Sequence, residues 1–151
     1  MANNKEQMKN EMRLKLPSLS VNESVARSAV AAFCAQLDPS ASELADIKCV
    51  VSEAVTNCIV HGYRDVVGTI YITVVLFEGG LVKIEIRDKG VGIEDVKAAR
   101  QPLYTTDAAS ERSGMGFTVM ESFTDRIRVL SSLGKGTKVI MYKRLTGKEG
   151  L

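Results

Sequence analysis

The spacing of apolar positions switches repeatedly along the chain between a period of two and a helical period. Residues 12–16 alternate apolar and charged side chains, which predicts a short strand ended by Pro17. Ser20-Val21-Asn22-Glu23 has the spacing of a capping box, with Ser20 as N-cap and Glu23 reaching back. The helix behind it is expected to run to about Leu37, with Val25, Ala29, Ala32, Phe33 and Gln36 as its stripe. Asp38-Pro39-Ser40 breaks that pattern. A second helix is predicted from Ser42-Glu43 to about Val60, stopped by His61-Gly62. Its apolar positions Leu44, Ile47, Val51, Val55 and Ile59 recur at helical spacing.

From Gly68 the period falls to two. Residues 69–77 and 81–87 read as paired strands around the turn Glu78-Gly79-Gly80. Asp88 to Gly92 is a glycine-rich loop, and residues 94–100 form a short helix that ends before Pro102. Residues 101–113 are polar and aperiodic. A helix restarts at Gly114 and runs to about Phe123. Residues 126–131 and 137–144 are two more strands around Leu133-Gly134-Lys135-Gly136. Residues 1–10 and 146–151 are expected to be flexible, leaving 11–145 as one domain. The order β-α-α-β-β-α-α-β-β implies a two-layer α/β (α+β) sandwich. Its helices would cover one face of a mixed, mostly antiparallel sheet.

Composition narrows the class. A chain of 151 residues, 45% hydrophobic and 25% charged, supports a single core. A net charge of +2 argues against bulk electrostatic binding to nucleic acid or membrane. No apolar run approaches the roughly 20 residues of a membrane span, and the polar N-terminus lacks the apolar segment of a signal peptide. Cys34, Cys49 and Cys58 fit no metal spacing and read as buried reduced thiols, which points to the cytoplasm.

Four short motifs carry chemistry. Glu53 and Asn57 stand four residues apart, on one helical face close to the apolar stripe. Buried polar groups need partners, and a metal–phosphate complex would supply them. An exposed pair that stabilises the helix is the plain alternative. Asp88-Lys89-Gly90-Val91-Gly92 follows a strand: its glycines permit close backbone approach, and its Asp can accept a bond from an exocyclic amine. Alone, it is also a turn with an Asp cap. Ser113-Gly114-Met115-Gly116-Phe117 opens a helix whose free amides favour anions, with Arg112 just before it. Gly136-Thr137 enters the last strand, where the hydroxyl can support an adenine pocket. Neither a phosphate-binding G-x-x-x-x-G-K-[ST] nor a G-x-G-x-x-G loop occurs. His61, the sole histidine, reads as a partner of a helix C-terminus.

In order and spacing these boxes resemble the N, G1 and G2 boxes of the GHKL (Bergerat) ATPase–kinase superfamily, over about residues 10–145. Val51 to Asn57 followed by His61-Gly62-Tyr63, then Ala99 to Thr106, then Glu111 to Phe117, are similar to the bacterial anti-sigma factor serine kinases. The likeness is greatest to the anti-sigma F group of endospore-forming bacteria. Cys58 departs from the alanine common after the N-box Asn.

The resemblance implies an ATP-dependent protein serine/threonine kinase that holds a sporulation sigma factor inactive. It would phosphorylate a serine of an anti-anti-sigma factor. It implies ATP or ADP with Mg²⁺, a homodimer, and no direct contact with nucleic acid or membrane. Glu53 would be the general base, Asn57 would hold Mg²⁺, and Asp88 would bind the adenine amine. Gly90 and Gly92 would let the loop approach the nucleotide, and Arg112, Gly114 and Gly116 would cradle phosphates. Thr105 and Thr106 in the lid, with Ser113, Met115, Phe117 and Thr137, complete the nucleotide-binding set. Arg27 is a candidate for the partner face, or an ordinary solvated arginine. The anti-sigma kinase of a general stress-response sigma factor, a histidine-kinase catalytic domain and a pure ATP-gated binding module are the alternatives.

Overall fold

Period-two alternation sorts the strands into an inner and an outer face. The computed structural model describes residues 7–101 and 116–147. The strands are β1 (Met8–Pro17), β2 (Thr69–Phe77), β3 (Leu81–Asp88), β4 (Arg126–Ser132) and β5 (Gly136–Arg144). They form one sheet in the order β1-β2-β3-β5-β4. All four ladders are antiparallel, so the expected sheet is antiparallel throughout rather than mixed. Ile70, Ile72, Val74 and Leu76 of β2, Val82, Ile84 and Ile86 of β3, and Val139 and Met141 of β5 are buried in one core.

The helices α1 (Val21–Cys34) and α2 (Ala41–Asn57) lie on this inner face, with the shorter α3 (Val96–Ala99) and α4 (Gly116–Ser122). From α2, Ile47, Val50, Val51, Ala54 and Val55 enter the core. Each fully buried aliphatic side chain of this kind contributes about 1.5–3 kcal/mol. No helix among the described residues is long and apolar enough to cross a membrane.

Three local expectations need correction. Residues Met8 to Asn10 belong to β1, paired with β2 across a register shift, so the flexible lead-in does not extend to residue 10. The inward stripe of α1 is Ala26, Val30, Ala31 and Cys34, whereas Val25 is 46% exposed. Small residues let α1 approach α2, and they carry little weight in a hydropathy pattern. The capping box stands at Ser40–Glu43, not at Ser20–Glu23. Ser20 makes no side-chain cap, because its own backbone is helical (φ −54°, ψ −35°) and its carbonyl, not its hydroxyl, accepts from Glu23 N–H; the Glu23 carboxylate goes instead to the Arg27 guanidinium and the Ser52 hydroxyl.

At the true box, Glu43 N–H donates to Ser40 Oγ at 3.1 Å and Ser40 N–H donates to Glu43 Oε1 at 2.9 Å. The same carboxylate accepts from Thr146 N–H at 2.7 Å and from Gly147 N–H at 3.0 Å, so residues 146 and 147, expected to be flexible, are anchored to α2. Partial burial pushes the carboxyl up, but these hydrogen bonds overcome it and hold it down at about 2, against the ordinary 4.5. Its contribution to stability is therefore full above pH 4.5 and is lost as the pH falls towards 2. Glu43→Gln is expected to lower stability at neutral pH by about 1 kcal/mol. The gap from the parent protein in urea unfolding should close on acidification. A gap independent of pH would contradict this account.

Candidate functional site

The last inward residue of β3 starts the site. Asp88 continues the alternation of Ile84 and Ile86, so its carboxylate points beneath the helices and is 3% exposed. Gly90 N–H donates to Asp88 Oδ1 at 2.9 Å. The Cys58 thiol and the Thr137 backbone N–H donate to the same carboxylate. Burial pushes the Asp88 carboxyl up, and the three hydrogen bonds offset only part of that rise. A buried acceptor with spare lone pairs suits an amine donor.

Beyond Asp88 the loop is pinned from several sides. Val91 N–H donates to Gly62 O at 2.9 Å, Gly134 N–H to Val91 O at 2.8 Å, and Ile93 N–H to Ser131 Oγ at 2.7 Å. Gly92 has φ +77°, and a Cβ there would stand 2.0 Å from Ser132 O, so only glycine fits. Thr137 faces Asp88 across the β3–β5 ladder, and its hydroxyl shares a 2.8 Å hydrogen bond with Ser131 Oγ.

Opposite this loop, α2 continues into a π-helical turn, Cys58–Gly62. π turns recur at functional sites. Glu53 and Asn57 sit one turn apart, and Gly116 opens α4 against both. A Cβ on Gly116 would lie 3.3 Å from Asn57 Oδ1 and 3.4 Å from Glu53 Oε2. Asn57 Oδ1 is buried and has no hydrogen-bond partner among the described residues. Burial pushes the Glu53 carboxyl up, and the nearby charge of Glu23 adds to the rise. Between α2, the loop and β5 lies a cavity of about 350 Å³, lined by Asn57, Cys58, Asp88, Gly92, Phe117 and Thr137 among others.

Of the expected residues, Asn57, Asp88, Gly92, Phe117 and Thr137 line one cavity, Gly90 is hydrogen-bonded to Asp88, and Glu53 and Gly116 stand next to Asn57. Thr105, Thr106, Arg112, Ser113, Gly114 and Met115 lie outside the described residues. Arg27 is on α1, 3.1 Å from Glu23, with its side chain 39% exposed. Cys34 and Cys58 are buried, Cys49 is half-buried, and all three are free thiols.

Pattern reading missed Gly62 and Tyr63. Tyr63 Oη accepts from Lys89 N–H at 2.8 Å and braces the loop. A Cβ on Gly62 would meet Asp88 Oδ2 at 2.7 Å. Gly62→Ala should therefore displace the buried carboxylate, cost about 1–3 kcal/mol of stability and weaken nucleotide binding about tenfold or more. Thermal melting and calorimetric titration check this; unchanged nucleotide affinity would contradict it. The signal is the His61-Gly62-Tyr63 stretch behind the Glu53–Asn57 helix, which the sequence offers as a helix stop and a point of family likeness but not as a support of Asp88.

Comparison with known proteins agrees with this fold. A family model described as "Histidine kinase-like ATPase domain" matches residues 16–143. The anti-sigma F factor of Priestia megaterium is 54% identical over 145 residues, covering 95% of this chain and 99% of that protein. The anti-sigma F factor of Anoxybacillus flavithermus is 55% identical over the same shares. A crystal structure of the RsbU and RsbW domains of a Mycobacterium tuberculosis protein superposes with a TM-score of 0.65 at 20% identity. That match covers 91% of this chain, which spans only 32% of the structure, and it speaks for the fold alone. The chain belongs to the histidine kinase-like ATPase domain family.

Proposed function

We propose that this chain binds and inhibits a sporulation sigma factor of the sigma F type, and that it uses ATP to phosphorylate a serine of its anti-anti-sigma factor. The observation that carries the reading is the convergence of Glu53, Asn57 and Gly116 beside the Asp88 cavity. The near-full-length likeness to relatives named anti-sigma F factor supports the choice of partners. The cytoplasm and a homodimer belong to the same proposal.

Asp88 accepts the adenine amine at the cavity floor, supported by Thr137. The unpartnered Asn57 Oδ1 is a hard oxygen donor of the kind Mg²⁺ takes, so the residues fit that ion. When bound, Mg²⁺ would neutralise charge on the phosphate oxygens. Gly90 and Gly92 let the loop approach the nucleotide, and Gly116 leaves room beside Asn57 and Glu53. Arg112, Gly114 and the lid residues Thr105 and Thr106 complete the proposed phosphate contacts, with Ser113, Met115 and Phe117 beside them. Glu53 accepts the proton of the partner's serine hydroxyl as its oxygen bonds to the γ-phosphorus. The bond from that phosphorus to the bridging oxygen breaks, and the electron pair leaves on ADP. Arg27, exposed at the side of α1, is assigned to the partner face.

Incubating the protein with ATP, Mg²⁺ and its anti-anti-sigma factor should give acid-stable phosphoserine, and the protein should capture the sigma factor. No phosphoserine together with an unbound sigma factor would overturn the proposal. Acid-labile phosphate on the partner would favour a histidine-kinase activity instead.

A further inference from the structure

The sheet face turned away from the helices collects charges that lie far apart in sequence. Across one row, Lys15 of β1 stands opposite Tyr71 of β2, Tyr71 opposite Arg87 of β3, and Arg87 opposite Lys138 of β5. Lys15 Nζ, the Arg87 guanidinium and Lys89 Nζ lie 5.7, 4.7 and 5.0 Å from the Tyr71 ring centroid. Among the described residues none of Lys15, Arg87, Lys89 or Lys138 is ion-paired. Like charges directly opposite each other destabilise a sheet, so Arg87 against Lys138 works against folding. The chain as a whole carries only +2, so the concentration is a product of the fold.

We propose that this face docks an acidic segment of a partner protein, with Lys15, Arg87, Lys89 and Lys138 as its anchor. Charge complementarity selects an anion. The rings select among anions. Tyr71 is covered by three cations and Tyr142 by Arg126 at 5.8 Å, so neither offers the bare ring on which single-stranded bases stack. A flat sheet face also does not enter a duplex groove as a helix or a two-stranded ribbon does. Carboxylates on an extended segment need no ring, and alternate side chains about 6.8 Å apart can reach cations on strands about 4.8 Å apart. Arg87 points away from the core that Asp88 enters, so the surface is separate from the nucleotide cavity and does not depend on phosphoryl transfer.

The test uses the full chain and a fluorescein-labelled deca-glutamate peptide, with a single-stranded DNA of equal charge as the second probe. Neutralising Lys15, Arg87 and Lys138 to glutamine should weaken peptide binding about tenfold or more. Neutralising the exposed Lys48, Lys97 and Lys135 removes the same charge elsewhere and should change it less than about twofold. Retained ATP binding certifies the fold of the variants; if the triple variant fails to fold, Lys138→Gln alone should weaken the peptide more than Lys97→Gln. Equal loss in the two sets would overturn the proposal, as would tighter binding of the DNA than of the peptide. So would a change of oligomeric state on neutralising the face, since that assigns it to a second copy of the chain.

Discussion

Glu53→Ala is expected to lower phosphoryl transfer to the anti-anti-sigma factor by about 10²–10⁴, with ATP affinity changed by less than about threefold. The split follows from geometry. Glu53 stands beside Gly116, one helical turn from the cavity-lining Asn57, and makes none of the contacts that surround Asp88. Burial and the neighbouring Glu23 push its carboxyl above the ordinary value. A carboxyl raised in the folded state contributes stability below its unfolded pKa, and loses it as the pH rises through the folded value. Above its unfolded pKa Glu53 therefore works against folding, and at neutral pH the alanine variant should melt no lower than the parent. Such a loss of activity cannot be assigned to unfolding. Single-turnover transfer, ATP titration and melting temperature together decide it. Lost ATP binding would remove Glu53 from the role of base.

The elements that one-dimensional periodicity controls were legible. The β2–β3 hairpin alternates cleanly around Glu78-Gly79-Gly80, and α2 repeats its apolar positions over four turns. The pairing of Glu53 with Asn57 was legible for the same reason, since helical spacing alone puts both on one face. Other features depend on contacts that no local pattern encodes. Ser20–Glu23 and Ser40–Glu43 present the same capping signature, and what separates them is the backbone at the cap: Ser40 is extended, whereas Ser20 is helical and the Glu23 carboxylate goes to the hydroxyl of Ser52, 29 residues away. Gly62 looks like a helix stop until β3 brings Asp88 beside it. Val25 has the hydropathy of a core residue but faces outward, because Ala26 and Val30 fit the α1–α2 contact more closely. The cationic row is distributed over three strands and the loop after β3, and only their register assembles it.

Asp88→Asn is expected to weaken ATP binding by about 10²–10³ and to collapse the preference for ATP over GTP. The carboxylate only accepts, and its surroundings are built for that. The Gly90 and Thr137 N–H groups and the Cys58 thiol all donate to it, leaving the remaining lone pairs for an amine. An amide in the same place keeps one acceptor oxygen and turns an NH₂ towards at least one of these donors. Either a buried N–H group loses its partner, or the amide turns its donor towards the adenine amine. Guanine presents a carbonyl at that position, which the NH₂ can satisfy, so the discrimination should fall as well as the affinity. Protonation gives the carboxyl a donor too. Because burial raises the Asp88 carboxyl above its ordinary value, ATP affinity of the parent should fall on acidification through that raised pKa. The Asn variant, with no proton to gain, should lack this dependence. Calorimetric titration of both proteins with ATP and GTP between about pH 5 and 8 measures all three effects. If Asp88→Asn bound ATP as tightly as the parent at every pH, the base would have to be recognised elsewhere in the cavity, and the assignment of its floor to adenine would fail.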